Sequence, residues 1–449
     1  IPCFHPLTFR MVSLMLNIRA LHVSWGKMQG VFLHRRVFTQ MKKETVTTNQ
    51  ITEGVIWKQL LLFFFPIVLG TFFQQLYNTA DTIVVGRFVS KEALAAVGGS
   101  AAQIVGLIVG FFVGLAAGAS VIISQFYGAK NRAQLNRALH TAYAFSIIGS
   151  IFITALGILT APWMLELMHT PQETMAEALL YLRIYFAGII FVFIYNVGSS
   201  ILRAMGDSRR PLYYLIVCCI LNIVLDIVLV IVFHMGVAGV SIATIFSQGV
   251  SAVLVTRALM RSDDLYQLEF RKIRFHKSAL ISLIWVGCPT GIQSILYSVT
   301  NMLIQTFLNN LGTDTVAAWS AFGKIDSLYW MVNNAFGIAV TTFVGQNFGA
   351  GKYDRMKKSV RIGLCMGLCT ALTLTLIFYN FGTPLFRLFT SDENVVSIGM
   401  QMLHHVAPAY CLFVFIELLS GALRGTGDVV IPMLITCFGV CLLRIAWLF

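Results

Sequence analysis

Two motifs occur twice in this chain with one common spacing of 221 residues. Leu-Arg-x-x-Gly-Asp-x-x-x-Pro begins at Leu202 and again at Leu423, and Gln-x-x-Gly-Ala begins at Gln125 and again at Gln346. Two unrelated motifs that share one offset indicate a long internal repeat. In an apolar chain, such a repeat is typical of two membrane-embedded halves that move against each other, as in many secondary transporters.

The composition predicts an integral membrane protein surrounded by lipid. Of the 449 residues, 57% are apolar and only 11% are charged, which is too few charges to cover a soluble domain. The net charge of +13 is concentrated in a few loops, which indicates orientation in a membrane and no nucleic-acid partner. The nine cysteines lack companions at metal-binding spacing, so we expect neither a metal centre nor a cofactor.

Apolar stretches long enough to cross a hydrocarbon core of about 30 Å follow each other along the chain. We predict an all-α polytopic protein with six spans in the first half and five in the second. The first six are expected near 58–82, 94–123, 138–161, 178–202, 212–233 and 237–258. The other five are expected near 279–308, 316–344, 359–382, 396–422 and 430–449.

Four segments follow from this pattern. Residues 1–40 are basic, lack acidic residues and precede Met41, so we expect a non-native upstream segment, with a transit peptide as the alternative. An N-lobe is predicted over 41–260, a cytoplasmic linker over 261–278 and a C-lobe over 279–449.

The repeat also predicts how the halves are related. Phe449 falls at the repeat equivalent of Val228, within the fifth span of a half, which predicts a truncated second lobe and a twelve-span parent. Two six-helix lobes would then be related by a pseudo-two-fold axis along the membrane normal. Basic residues concentrate in alternate loops, especially between Arg257 and Lys277, so the N-terminus and the linker are expected to be cytoplasmic.

Acidic residues within spans are costly and therefore informative. The first half carries Asp81 in span one and Asp226 in span five, and Asn222 lies one helical turn before Asp226 on the same face. Thr244 in span six can add a hydroxyl group. Carboxylate, amide and hydroxyl oxygens suit a proton or Na⁺. The alternative is that Asp81 lies at the membrane surface and Asp226 bonds to neighbouring helices.

The second half does not repeat this set, because Leu443 and Trp447 stand at the positions equivalent to Asn222 and Asp226. We therefore assign ion coupling to the first half. The second half is expected to have its own buried charges within spans, which are Lys324, Asp326 and Glu417. Glu417 is the best candidate there for attracting a cationic substrate, and a structural carboxylate is an equally good interpretation.

These residues resemble the multidrug and toxic compound extrusion (MATE) family from about residue 55 to the end of the chain. The resemblance is carried by Pro66 fifteen residues before Asp81, by Asn222-x-x-x-Asp226 and by both repeated motifs. It implies a V-shaped pair of six-helix lobes that exports cationic, amphipathic drugs in exchange for H⁺ or Na⁺.

The resemblance also implies roles for single residues. Asp81, Asn222, Asp226 and Thr244 match the first-lobe cation site of the family. Gln74 and Asn196 fall where drug-facing polar residues are expected. The stretch around Gln293 has no acidic residue, which favours the DinF-like arrangement without a second-lobe Na⁺ site.

We therefore predict a monomeric, cation-coupled antiporter of the bacterial plasma membrane and no enzymatic activity. Cation binding would bend span one at Pro66, where proline removes a helical hydrogen bond. The alternative is a flippase for lipid-linked oligosaccharides or peptidoglycan precursors. A flippase cavity should carry several Arg or Lys for pyrophosphate, and Lys324 is the one clear basic residue expected within a span. A channel or a membrane enzyme is less consistent with the repeat.

Overall fold

The computed structural model describes residues 50–262, 266–309, 312–442, 444 and 446. These residues form helices and turns and contain no strand, which confirms the predicted all-α fold. The predicted upstream segment 1–40 and the positions of Leu443 and Trp447 lie outside the described residues.

The described helices coincide with the predicted spans. In the first half these are α1 (Ile56–Phe88), α2 (Ser100–Gly128), α3 (Arg132–Leu167), α4 (Gln172–Ala204), α5 (Arg209–Asp226, continued by the π-helix Ile227–Val232) and α6 (Gly236–Met260). In the second half they are α7 (Lys277–Asn309), α8 (Thr313–Gly349), α9 (Tyr353–Arg387), α10 (Glu393–Val406 and Tyr410–Thr426, joined by the 3-10 turn Ala407–Ala409) and α11 (Val430–Ile435, continued by the π-helix Thr436–Leu442). Short helices lie at Gln50–Glu53, Lys91–Gly98 and Phe270–Lys272.

Nine helices among the described residues are long and apolar enough to cross a membrane. Of the eleven, α8 and α11 fall outside this group, since α8 carries several polar side chains and the described part of α11 is short. The second predicted span, near 94–123, lies within the candidate span Lys91–Gly128, in which the helix Lys91–Gly98 and α2 are separated by Gly99.

Helix α1 packs against both halves of the chain. Its first part joins a hydrophobic cluster with α8, α9 and α10, in which the ring of Phe64 stacks on that of Phe336 with centroids 4.0 Å apart. Its last part joins a cluster with α5 and α6 that includes Val85 and Val240. Pro66 lies inside α1 next to Ile67, where the first of these two clusters ends. The proline therefore occupies the part of α1 that crosses from one half to the other.

Glycines bring α2 and α7 into close contact. A Cβ atom added to Gly114 would lie 2.6 Å from the Cα atom of Gly291, and one added to Gly118 would overlap the backbone of Gly287. Only glycine leaves room for two helix backbones at this separation. This contact joins the first half to the second.

The Leu-Arg-x-x-Gly-Asp motif forms the same helix end in both halves. Gly206 and Gly427 both have φ +95°, a left-handed conformation that glycine adopts readily. The backbone N–H of Asp207 donates to the carbonyl of Leu202 at 3.0 Å, and that of Asp428 donates to Leu423 at 3.0 Å. These bonds satisfy carbonyl groups at the ends of α4 and α10. The repeat is therefore conserved in backbone geometry as well as in sequence.

Candidate cation site

Three helices bring the predicted first-half residues together. α1 supplies Asp81, α5 supplies Asn222 and Asp226, and α6 supplies Thr244. Asn222 and Asp226 are fully buried, Asp81 is 9% exposed and Thr244 is 8% exposed. Asp81 therefore lies in the interior of the protein.

Hydrogen bonds connect the three helices. The hydroxyl of Thr244 donates to Oδ2 of Asp81 at 3.1 Å. The side-chain amide of Asn222 donates to the same hydroxyl at 3.5 Å. Thr244 thus links α5 to the carboxylate on α1. The hydrogen bonds therefore run from the Asn222 amide to the Thr244 hydroxyl and from that hydroxyl to the Asp81 carboxylate.

The acceptor atoms of the site have few donors. Oδ1 of Asp81, Oδ1 of Asn222 and both carboxylate oxygens of Asp226 are buried without a hydrogen-bond partner among the described residues. The carboxyl groups of Asp81 and Asp226 are close enough to interact electrostatically. Neither takes part in an ion pair with Lys or Arg in the described part of the chain. Two adjacent carboxylates without a neighbouring cation form a site that favours a bound proton or a hard cation.

The sequence analysis missed two residues that extend this site. Tyr77 lies four residues before Asp81 on α1, and Gln248 lies four residues after Thr244 on α6. The amide of Gln248 donates to the hydroxyl of Tyr77 at 3.2 Å, and its Oε1 atom is buried without a partner. The four-residue spacing on each helix was the available signal, since it places such residues on one face.

Aromatic rings and a local change of helix type border the site. Tyr181 and Tyr185 of α4 stack with centroids 6.0 Å apart, and both lie within electrostatic range of Asp81. Directly after Asp226, α5 changes from α-helix to the π-helix Ile227–Val232. Such widened turns occur often at functional sites.

The residues predicted to face a drug lie apart from the carboxylate pair. Gln74 is exposed on α1, two turns before Asp81. Asn196 is half-buried and lines an apolar cavity between α2, α3, α4 and α7. Its amide donates to the carbonyl of Val192 within its own helix at 2.8 Å.

Glu417 is paired with a cation. Its Oε1 atom accepts a bond of 2.6 Å from Nη2 of Arg424, and the two side chains are 24% and 15% exposed. The carboxylate also packs on Gly337 of α8, where a Cβ atom would lie 2.6 Å from Oε1. This ion pair supports the structural interpretation of Glu417. Asn196 stands 221 residues earlier, so two of the three residues predicted to bind substrate, Asn196 and Glu417, are repeat equivalents.

Two expectations about charges within spans are wrong. Lys324 is exposed rather than buried, and it is not the one basic residue within a span. Arg444 lies half-buried beyond the π-helix of α11, where Nη1 donates to Oδ1 of Asn301 at 3.3 Å. Arg183 is exposed on α4. The sequence analysis overlooked both residues.

Asp326 on α8 already has donors for both of its oxygens. The hydroxyl of Tyr410 donates at 2.7 Å, and Nε1 of Trp330 donates at 2.9 Å. This carboxylate therefore differs from Asp81 and Asp226, whose oxygens are largely without donors.

Comparison with known proteins identifies the family. The family model described as MatE matches residues 66–228 and 289–448, which together exceed half of the chain. The probable multidrug resistance protein YpnP of Bacillus subtilis (strain 168) is 31% identical over 394 residues, which cover 88% of each chain. The probable multidrug resistance protein YoeA of the same strain is 28% identical over 410 residues, 89% of this chain and 88% of YoeA.

Solved structures share the fold. A multidrug resistance MATE family transporter of the MOP superfamily in its outward-facing conformation superposes with a TM-score of 0.84 at 22% identity, over 90% of each chain. A MOP superfamily transporter from Pyrococcus furiosus, described as having reversed polarity in its binding pocket, gives the same TM-score, identity and coverage. With two repeated halves of membrane-spanning helices and a family match in each half, this chain belongs to the multidrug and toxic compound extrusion (MATE) family.

Proposed function

We propose that the protein exports cationic, amphipathic compounds across a bacterial plasma membrane in exchange for H⁺ or Na⁺. The relatives named as multidrug resistance proteins support the substrate class. The observation that carries ion coupling is the buried pair Asp81 and Asp226 without a neighbouring cation. We place the linker end of the molecule in the cytoplasm, in keeping with its basic loops.

A proton shared by the two neighbouring carboxyl groups would support H⁺ coupling. A hydrogen bond between them forms only when one of them holds a proton, because two ionised carboxylates offer acceptors alone. The unpartnered oxygens of Asp81, Asn222 and Asp226 also suit Na⁺, which prefers oxygen ligands. Either ion would reduce the repulsion between the two carboxylates.

The cation site and the proline lie on the same helix, so ion binding near Asp81 can affect bending at Pro66. Pro66 and Asp81 are fifteen residues apart, about 22 Å along one helix. Ion binding changes the charge against which the last part of α1 packs, and Pro66 lies where α1 crosses to the second half. We propose that α1 bends at Pro66 when the ion binds and that this bend closes the substrate path. A ligand shifts such an equilibrium only by binding the two conformations with different affinity.

Efflux from proteoliposomes tests this function. Ethidium efflux would be measured with a pH gradient and a Na⁺ gradient imposed separately. We expect one of the gradients to drive efflux and its dissipation to stop it. Equal efflux without any gradient would exclude antiport.

The flippase remains the second candidate because basic residues within helices are more numerous than the sequence analysis expected. Arg444 is bonded to Asn301 and lies within electrostatic range of Asp326, so its charge is partly compensated. Lipid-linked pyrophosphate added to the proteoliposomes distinguishes the two functions. Translocation of that lipid without ethidium efflux would favour the flippase.

A further inference from the structure

The two repeated motifs bind each other across the boundary between the halves. Nε2 of Gln125, at the end of α2, donates to the carbonyl of Gly425 at 2.9 Å. Nε2 of Gln346, at the end of α8, donates to the carbonyl of Ala204 at 2.7 Å. Gln346 is the repeat equivalent of Gln125, and Gly425 is that of Ala204. The bonds are therefore reciprocal, since each half gives one donor and one acceptor.

The glycine of each Gln-x-x-Gly-Ala motif makes this contact sterically feasible. A Cβ atom on Gly128 would overlap the carbonyl oxygen of Gln346, and one on Gly349 would overlap that of Gln125. Between these glycines, Ser124 contacts Gly345, which is its own repeat equivalent. The two helix ends thus meet on the pseudo-two-fold axis itself.

We propose that Gln125 and Gln346 form a gate that holds the two halves together at the linker end of the molecule. The gate rests on the proposed transport function, because alternating access requires the halves to separate at this end. Separation breaks both hydrogen bonds at once and leaves two carbonyls and two amides to water. The gate therefore sets the balance between the closed state and the state open to the cytoplasm.

The two bonds differ in their surroundings. Gln346 is fully buried, whereas Gln125 is partly exposed. Net contributions of buried hydrogen bonds correspond to roughly a three- to tenfold change in an equilibrium. We expect loss of the Gln346 bond to change the opening equilibrium by a factor near the upper end of this range. Loss of the Gln125 bond should change it by a factor near the lower end.

A buried thiol at the axis reports opening of the gate. Ser124→Cys places the thiol at a fully buried position, where a membrane-impermeant maleimide can reach it only when the halves part. The full chain in proteoliposomes would be labelled, and labelling at residue 124 would be identified by peptide mass, which separates it from the native cysteines. We expect Gln125→Leu and Gln346→Leu each to raise the labelling rate roughly three- to tenfold, and the double variant to raise it further.

The matched control is Gln103→Leu, the same change at an exposed position of α2. It should leave labelling unchanged. An unchanged labelling rate in the folded double variant would overturn the gate. Because labelling needs neither a substrate nor a gradient, this outcome is distinguishable from a failure of the antiport proposal.

A second variant separates a gate from a purely structural contact. Gln346→Glu keeps the length of the side chain, but its carboxyl donates to the Ala204 carbonyl only when it is protonated. We expect fast labelling at neutral pH and slow labelling at acidic pH, measured at each pH relative to Ser124→Cys with Gln346 intact. A ratio that does not change with pH would contradict the gate.

Discussion

At the scale of single residues, the candidate cation site combines many acceptors with few donors. Thr244 supplies one hydroxyl donor to Asp81, and the oxygens of Asp226 have no donor among the described residues. An ionised carboxylate in such surroundings loses its hydration without a replacement. Binding a cation from the aqueous phase would recover that loss, which supports the proposed coupling to an ion gradient.

Asp81→Asn should abolish gradient-driven efflux. The substitution keeps the size of the side chain and its bond from Thr244, but it removes the titratable group and the negative charge. Asp226→Asn should act in the same way, and the double variant should be no worse than either single variant if the two carboxylates act as one unit. Ethidium efflux and drug binding would be measured on each variant.

Asp354→Asn is the matched control, since Asp354 is an exposed carboxylate in the first turn of α9. It should transport like the parent protein. Normal gradient-driven efflux by Asp81→Asn would show that the ion site lies elsewhere.

Glu417→Gln should weaken binding of cationic drugs and leave ion coupling in place. The substitution also leaves Arg424 without its carboxylate partner, which costs stability by itself in a partly buried pair. Binding of cationic and neutral dyes would therefore be compared in Glu417→Gln and in the double variant Glu417→Gln with Arg424→Gln. Recovery of cationic-dye binding in the double variant would show that the role of Glu417 is structural.

At the scale of helices, the contact between α2 and α7 depends on paired glycines. Gly114 and Gly118 face Gly291 and Gly287, whereas Gly106 on the same helix has open space around it. One helix therefore offers a buried and a free glycine for direct comparison. The difference in stability between alanine variants at these two positions measures how much the close backbone contact stabilises the protein.

Gly118→Ala should destabilise the protein by about 1–3 kcal/mol, because its Cβ atom has no room beside Gly287. Gly106→Ala should be neutral or stabilise by up to about 1 kcal/mol, since alanine favours the helical backbone. Thermal unfolding in detergent would be followed for both variants. Equal melting temperatures would show that α2 and α7 can move apart without cost.

At the scale of the whole molecule, charge distribution predicts orientation. The linker segment and the ends of α2 and α8 share one end of the molecule, where Gln267 N–H contacts Asn136 and Gln346 contacts Ala204. The basic loops lie at this end, and from the positive-inside rule we propose that it faces the cytoplasm.

Arg271→Cys, in the exposed part of the linker, should be labelled by an impermeant maleimide from the cytoplasmic side alone. Glu173→Cys, exposed at the start of α4, should be labelled from the outside alone. Labelling would be measured in intact cells and in inverted vesicles. The reverse pattern would invert the predicted topology.

The sequence predicted what depends on local pattern. Hydropathy predicted the helices α1 to α11 but not the short helices between them, and the spacing of Asn222 and Asp226 placed them on one face. Contacts between distant segments were not readable in this way: nothing in a single sequence pairs Gln125 with Gly425 or Gln346 with Ala204. Arg444 was readable as a charge within an apolar stretch, like Asp226, but its partner Asn301 was not.

The reciprocal bonds between the motifs have a consequence for the origin of the chain. Each half carries both a donor and an acceptor, so the interface is isologous in the manner of a homodimer. A half-length polypeptide with one copy of each motif could already form both bonds with a second copy of itself. Gene fusion would then have added a linker to a dimer contact that was already complete. After fusion the two halves could diverge, so that the first half kept its carboxylates while the second half lost them.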